Sequence, residues 1–525
     1  MSGVTVGGSQ AERLAPVLAV VLLVAVVARW LGYSGFFGSD EVTYTDSAFK
    51  LLRGDWKIDD YVGANRLGVN FPVAGFAWLL GQTELAAAAY SLLASLGEVA
   101  LVTWAAYRMF GRRAALYAGL LMASLPSHVH FAGRLMADAP LSLTITAAFV
   151  LFYEGEARRW PMGFFLAGVC AGLSFWIKPV TLFVFGILLL YPLWVGRINR
   201  HWLWMGAGLL VAMAANGLLF QWLTGRFWYI FEAIRERRAS GYLESGAAAG
   251  EITSDAHLYL TFLFGKIYHT GLLGYLALVG AVLAWRRRRQ GDAALHLAVD
   301  FTVFWAIGVV SILSLLPVGF NPLIFVPKQT NYMLLFVAPL CLLGGYGLAR
   351  MPARLGAAAA TAAVAVGLLF ALLLQGSVAV FTANSAATVR YVHARPGATF
   401  YVMSNAVRAI NFEQLVGGTD ARARVHPIQD WTASRAENST VEHFSIVDEE
   451  TYAWDTSRPF KTPQEVPKCW SPVDVIRGQP QGSGAILLRG LAAVPGLAGT
   501  GIGQRIQGLS VPKPARVYRL PPGAC

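Results

Sequence analysis

Residues 14–46, LAPVLAVVLLVAVVARWLGYSGFFGSDEVTYTD, decide the fold. From Leu14 to Tyr33 the run carries one charge, Arg29 near its end, and it is long enough to cross about 30 Å of hydrocarbon as a helix. Arg29 and Trp30 close it, no A-x-A cleavage pattern follows, and the apolar stretch exceeds a signal-peptide core, so the segment reads as a retained helix. Where the chain leaves the apolar run, two adjacent carboxylates appear, Asp40 and Glu41.

Working outward, runs of the same kind recur at about 84–107, 113–130, 138–154, 161–177, 179–195, 201–223, 258–285, 297–318, 331–349 and 356–380. The composition agrees: 525 residues are 56% hydrophobic and 14% charged, with a mean hydropathy of +0.51. This balance excludes a soluble enzyme, a nucleic-acid module and a disordered chain. The net charge of +12 follows from topology, because Arg collects on alternate connections. Those connections hold Arg108, Arg112 and Arg113; Arg158 and Arg159; Arg197 and Arg200; Arg286, Arg287, Arg288 and Arg289; and Arg350 with Arg354. They predict a multi-pass protein of the plasma (inner) membrane, with a cytoplasmic N-terminus and an extracytoplasmic C-terminal part.

The expected architecture is an all-α polytopic membrane protein of about eleven transmembrane helices. Residues 1–380 form the membrane domain, with external loops 34–83 and 224–257, and residues 381–525 a small extracytoplasmic α/β domain. In the latter, Thr399-Phe-Tyr-Val-Met403 and Ala485-Ile-Leu-Leu488 read as short strands, and the final Gly- and Pro-rich stretch as loosely ordered. No internal repeat points to the inverted halves of a transporter. Cys170 and Cys341 fall inside apolar runs, while Cys469 and Cys525 are placed to form a disulfide.

Three external connections hold a single cation each, Arg134, Lys178 and Lys328, which the positive-inside bias does not call for. Asp40, at the water–lipid boundary, is partly desolvated and so is strengthened as a proton acceptor. Asp55, Asp59 and Asp60 read as a solvated loop. Ala48, Phe49, Leu51 and Leu52 supply the apolar stripe of an interfacial helix roofing the carboxylates. Asp138, in Gly133-Arg134-Leu-Met-Ala-Asp138-Ala-Pro140, suits a helix N-cap, but capping does not explain the cation beside it. Lys178, wedged between two apolar runs and followed by Pro179, either snorkels to the interface or faces an anion. Lys328 makes a weaker version of the same case.

His128 and His130 stand two apart, which on a helix sends them to nearly opposite faces and argues against a shared metal ion. The chain has no Asp-x-Asp triplet, P-loop, G-x-S-x-G elbow or HExxH. Asn438-Ser-Thr440 fits a glycan sequon of the sort chance supplies, and Arg235-Glu-Arg-Arg238 reads as a solvated helix face.

In order and sidedness these pieces resemble the GT-C class of polytopic glycosyltransferases, in its protein mannosyltransferase and aminoarabinose transferase branch. The matching residues are Asp40-Glu41 after the first span, Arg134 to Asp138 at the fourth, Gly172-Leu-Ser-Phe-Trp-Ile-Lys178 at the sixth, and Lys328-Gln-Thr-Asn-Tyr332 running on to Gly347-Leu-Ala-Arg350. They cover about residues 14–350. The chain departs from the branch at Asn65-Arg-Leu-Gly-Val-Asn-Phe-Pro72, where a Pro-Pro-Leu stretch is usual, and at Gln329, where His or Arg is.

The resemblance implies an inverting transfer of a sugar from a polyprenyl-phosphate donor to an acceptor hydroxyl on the external face. The expected catalytic residues are Asp40 as general base, with Glu41 and Asp138 positioning it or the acceptor. Lys178, Arg134 and Lys328 are expected to hold the donor phosphate. No metal or other cofactor is required by this scheme, although some members use a divalent metal. The expected partners are the membrane lipid carrier and a protein, lipid or glycan acceptor, with no nucleic acid. A multi-pass transporter is the alternative; it calls for charges paired in mid-span, where Glu98 is the exception to a largely uncharged set.

Overall fold

The computed structural model describes residues 8–241, 245, 253–287, 293–321, 323–418, 421–431, 441–455 and 458–521. Arg288, Arg289, Cys525 and the sequon Asn438, Ser439 and Thr440 lie outside the described residues. The first part is mostly helical: α1 (Gly8–Leu31), α2 (Glu41–Arg53), α3 (Leu67–Leu80), α4 (Glu84–Phe110), α5 (Arg112–Ser124), α6 (Pro126–Ala132), α7 (Asp138–Arg158) and α8 (Pro161–Ile177). A 3-10 run over Pro179–Leu190 then leads to α9 (Tyr191–Val195), α10 (Leu203–Thr224), α11 (Tyr229–Ala239), α12 (Leu258–Phe264), α13 (Leu273–Arg287) and α14 (Ala293–Leu315). The antiparallel pair β1 (Pro317–Phe320) and β2 (Leu323–Phe325) precedes α15 (Leu334–Arg350) and the 41-residue α16 (Ala353–His393).

Among the described residues, six segments are long and apolar enough to cross a membrane: Leu14–Leu31, Glu84–Phe110, Arg200–Thr224, Ala293–Leu315, Thr330–Arg350 and Ala353–His393. Of the other expected spans, 138–154 forms the unbroken 21-residue α7, which carries Asp138, Glu154, Glu156 and Arg158 and is less apolar, and the rest are broken or shorter, for local reasons. Pro126 lacks the N–H that would continue α5, so a new helix starts there. The run 258–285 divides between α12 and α13, with Gly271 at φ +57° in the joint. After Pro179 the backbone tightens to 3-10 geometry rather than an α-helix.

Without a hydrophobic drive between helices in lipid, close packing holds the bundle together. Gly168 of α8 and Gly208 of α10 let the two backbones touch; a side chain at either position would strike the carbonyl of Met205 or Phe165. The bundle also gathers three of the Arg-bearing connections at one end, where Arg108 and Arg158 pair with Glu154 at 3.3 and 2.5 Å and Arg197 pairs with Glu156.

The second part is a five-stranded sheet of order β4-β3-β5-β7-β6. Its elements are β3 (Thr399–Val402), α17 (Ser404–Leu415), β4 (Val425–Pro427), β5 (His443–Asp448), β6 (Ser471–Ile476), α18 (Ser483–Ala492), α19 (Gly501–Gly508) and β7 (Ala515–Arg519). β3 runs parallel to β4 and β5, pairing Phe400 with Val425 and Phe444, and β7 runs antiparallel to β5 and β6. Two expectations fail here. Ala485-Ile-Leu-Leu488 is helical, because Ala485 and Leu488, three apart, are the positions buried. The final stretch is ordered into α19 and β7. Cys469 is disulfide-bonded, whereas Cys170 and Cys341 are free thiols.

α16 joins the two parts. From its outer half, Asn384 donates to Asp448 Oδ1 at 2.6 Å and to the Lys513 carbonyl at 2.7 Å, and accepts from the Gly478 N–H at 2.9 Å.

Candidate active site

The loop after α1 turns through Gly38, whose φ of +94° only glycine adopts without strain, and delivers Asp40 to the start of α2. Glu41 is fully buried. Its carboxylate accepts the backbone N–H groups of Phe37 and Gly38 at 2.6 Å each and of Ser39 at 3.0 Å, so it fixes the turn that presents Asp40. Asp40 itself accepts Tyr44 Oη on Oδ2 at 3.2 Å and Tyr61 Oη on Oδ1 at 3.0 Å. Tyr44 stands one helical turn on, which is why it reaches back. Arg66 in turn donates to the Tyr44 hydroxyl and lies over its ring at 5.4 Å.

Burial pushes the Tyr61 hydroxyl up to about 12, with Asp40 adding to the effect, and pushes Tyr44 well above the ordinary tyrosine value. Both phenols therefore remain donors and leave Asp40 as an acceptor. Burial works against the Arg66 charge, but Tyr44, Tyr61, Asp40 and Asp138 outweigh it and raise its proton affinity. Since Arg66 feels both Asp40 and Asp138, the two carboxylates belong to one electrostatic site.

Asp138, 2% exposed, is the first residue of α7 rather than its cap, and its side chain is committed elsewhere. Oδ1 receives Asn331 Nδ2 at 2.8 Å and Lys178 Nζ at 3.5 Å. Lys178, at the break between α8 and the 3-10 run, also has its ammonium 4.5 Å from the centre of the Tyr332 ring. It therefore faces an anion inside the protein instead of snorkelling outward. Arg134 is buried, with its guanidinium 4.0 Å from the Phe37 ring centre. Burial depresses its proton affinity, and Glu41, Asp138 and Asp40 act against that. Its Nε has no hydrogen-bond partner among the described residues, and the same holds for Arg66 Nε.

Lys328 stands apart from this group. Its ammonium donates to the Val326 carbonyl at 2.7 Å, Asp255 is the charged neighbour it feels, and burial lowers it to about 8.

Sequence reasoning missed Arg66, Tyr44, Tyr61 and Asn331 as members of the site. Tyr44 was within reach of the i, i+4 rule once a helix was placed there, and Asn331 lay inside a stretch already singled out; Arg66 and Tyr61 carried no signal. It also missed a polar network buried beneath the site. Arg29 donates to Ser95 Oγ at 2.9 Å and to the Ala123 carbonyl at 2.6 Å and meets His128 Nδ1 at 2.6 Å. His128 Nε2 contacts Glu98 Oε2 at 2.9 Å, and Glu98 Oε1 accepts Ser142 and Thr146 at 2.7 Å each. Ser142 also bonds the Leu334 carbonyl at 2.8 Å, so the network ties the starts of α7 and α15, which carry Asp138 and follow Asn331.

The fold is that of a multi-pass membrane protein of GT-C architecture, as the sequence resemblance implied. Residues 51–231 match the family model described as dolichyl-phosphate-mannose-protein mannosyltransferase. The chain is 27% identical over 354 residues, 61% of its length, to the undecaprenyl phosphate-alpha-4-amino-4-deoxy-L-arabinose arabinosyl transferase of Pseudomonas aeruginosa (strain UCBPP-PA14). It is 27% identical over 165 residues, 29% of its length, to the transferase of the same name from Aeromonas salmonicida (strain A449). The matched regions span 57% and 30% of those relatives' lengths. In fold the chain is similar to ArnT from Cupriavidus metallidurans in the apo state, with a TM-score of 0.56 at 17% identity, covering 85% of this chain and 95% of that one. The crystal structure of the same protein bound to undecaprenyl phosphate gives a TM-score of 0.55, at the same identity and coverage.

Proposed function

We propose that this protein is an inverting glycosyltransferase that moves a sugar from a polyprenyl-phosphate donor to an acceptor hydroxyl. The observation that carries the reading is the meeting of one hydrogen-bonded, half-buried carboxylate, Asp40, with half-buried Arg66 and the buried cations Arg134 and Lys178 at one site. The names of the curated relatives, and the carrier lipid in the ArnT complex, support the same donor class.

In this reaction the acceptor oxygen attacks the anomeric carbon on the face opposite the phosphate. Its proton passes to Asp40, whose oxygens each keep a lone pair beyond the one a tyrosine uses. The bond from the anomeric carbon to the phosphate oxygen breaks, and polyprenyl phosphate leaves. Arg134 and Lys178 offset the charge gathering on that phosphate, and Arg134 Nε is a buried donor for one of its oxygens. Asp138 and Asn331 orient the Lys178 ammonium, while Glu41 holds the turn under Asp40. Lys328 is assigned an outer place along the path of the phosphate. No step calls for a metal ion.

The topology of the proposal has eleven crossings, with α7 and the shorter and broken helices completing the six long apolar ones. The N-terminus is cytoplasmic, the chain divides at residues 380 and 381, and the site and the C-terminal domain are extracytoplasmic. The acceptor is a hydroxyl on a protein, lipid or glycan. Incubating purified protein with a panel of polyprenyl-phosphate sugars and acceptors tests the activity: release of polyprenyl phosphate with formation of a glycosylated acceptor supports it. Transport of solute by reconstituted protein, with no such release across the panel, would replace it.

A further inference from the structure

The segment from Ser483 to Val511, which holds α18 and α19, is unlike the rest of the C-terminal domain. It contains no acidic residue and two charges only, Arg489 and Arg505. Ile486, Val494, Ile502, Leu509 and Val511 are 42–68% exposed on it. An aqueous surface rarely gathers that much apolar side chain without a partner.

The fold says what depth this segment occupies. Gln375 of α16 donates from Nε2 to the carbonyls of Tyr33 and Gln481 at 3.3 Å each, and its Oε1 accepts the Gly484 N–H at 2.8 Å. Tyr33 is the residue at which the first apolar run ends, and Trp30, 77% exposed, stands one turn before it as an interfacial aromatic would. Gly484 sits so close to the Leu372 carbonyl, and Leu488 to Gly376, that neither glycine has room for a side chain. α18 is thus laid against α16 at the level where α1 leaves the apolar zone.

From this we propose that α18 and α19 form an interfacial anchor, with the exposed apolar residues sunk into the lipid leaflet on the side of the active site. Arg489 and Arg505, both exposed, then stand among the headgroup phosphates. The anchor fastens the C-terminal domain to the leaflet that the site faces. The proposal rests on the reading of Leu14–Leu31 and the apolar part of α16 as membrane spans.

The test uses full-length protein in vesicles of phosphatidylcholine and phosphatidylglycerol, with Cys170 and Cys341 replaced by alanine. An environment-sensitive fluorophore is attached in turn at Ile486→Cys, Ile502→Cys, Leu23→Cys on the exposed face of α1, and Thr462→Cys on the water-exposed domain surface. Doxyl-labelled lipid should quench positions 486, 502 and 23 by about two-fold or more, and position 462 little, with aqueous iodide giving the reverse order. Quenching by lipid at 23 but not at 486 and 502 overturns the anchor alone, whether iodide reaches those sites or a second protein copy shields them from both agents. Failure of lipid quenching at 23 as well removes the span and the anchor with it.

Discussion

Arg408 Nη1 donates to the carbonyl oxygen of Gly38 at 2.6 Å, which places a side chain of the C-terminal domain on the turn that carries Asp40. Around that bond the Asn405 side chain fills the space beside Gly38, Phe412 stacks on Phe36 at 5.3 Å, and Phe381 stacks on Phe37 at 5.0 Å. Phe37 is also the ring against which Arg134 rests. The domain therefore presses on both halves of the candidate site, the turn of Asp40, our proposed base, and the ring under Arg134, a proposed phosphate cation.

Arg408→Ala is expected to lower kcat about ten-fold while leaving donor KM within a factor of about two, since it displaces Asp40 by loosening the turn rather than removing a donor contact. Arg408→Lys should recover part of the rate. Steady-state kinetics on folded protein decides, and an unchanged kcat would mean that the contact only joins the domains.

Lys178→Ala should weaken binding of polyprenyl phosphate as well as of the full donor, because the phosphate is common to both. Loss of one charge-assisted contact corresponds to about 1.5–3 kcal/mol, or roughly ten- to a hundred-fold in affinity. Asp138 then loses its cation and keeps Asn331. Carrier-lipid binding by the purified variant is the measurement, and wild-type affinity would remove Lys178 from the phosphate site.

Glu98→Ala is expected to destabilise the bundle strongly, by about 3–5 kcal/mol, since it leaves Arg29 and His128 buried around a missing carboxylate. Glu98→Gln, which keeps an acceptor for Ser142 and Thr146, should lose much less. Thermal unfolding in detergent compares the two; equal melting temperatures for wild type and Glu98→Ala would show the network to be dispensable.

Much of this was legible because apolar runs and the placement of Arg report directly on lipid and on sidedness. Asp40, Arg134, Asp138 and Lys178 were singled out because each is a charge standing where burial or topology disfavours one, and the resemblance supplied the roles expected of them. What escaped is information that lives in tertiary contacts. Glu41 was expected to position Asp40 or the acceptor, but the three backbone N–H groups through which it holds the turn under Asp40 appear only when that turn is folded. Arg66 sat in a charged loop and looked solvated until α3 carried it under Tyr44. Glu98 was visible as a mid-span acid, yet its partners come from two other helices, with Arg29 of a third reaching it only through His128. The broken spans escaped for a different reason: hydropathy is blind to the local backbone changes at Pro126, Pro179 and Gly271.

Sidedness has its own test. A cysteine at Thr462 should react with an impermeant thiol reagent in intact cells, and one at Arg286 should react only after permeabilisation, both positions being exposed. The opposite pattern would place Asp40 in the cytoplasm.

The most direct test of the account is single-turnover transfer by Asp40→Asn with a saturating polyprenyl-phosphate sugar. The amide keeps the shape of the side chain and can still accept Tyr44 or Tyr61 on its one remaining oxygen acceptor, but it cannot take up the acceptor's proton. The rate should fall by roughly 10² to 10⁴ with donor affinity nearly unchanged. A single-turnover rate within a factor of about two of wild type would contradict the assignment of Asp40 as the base and shift the role to Asp138.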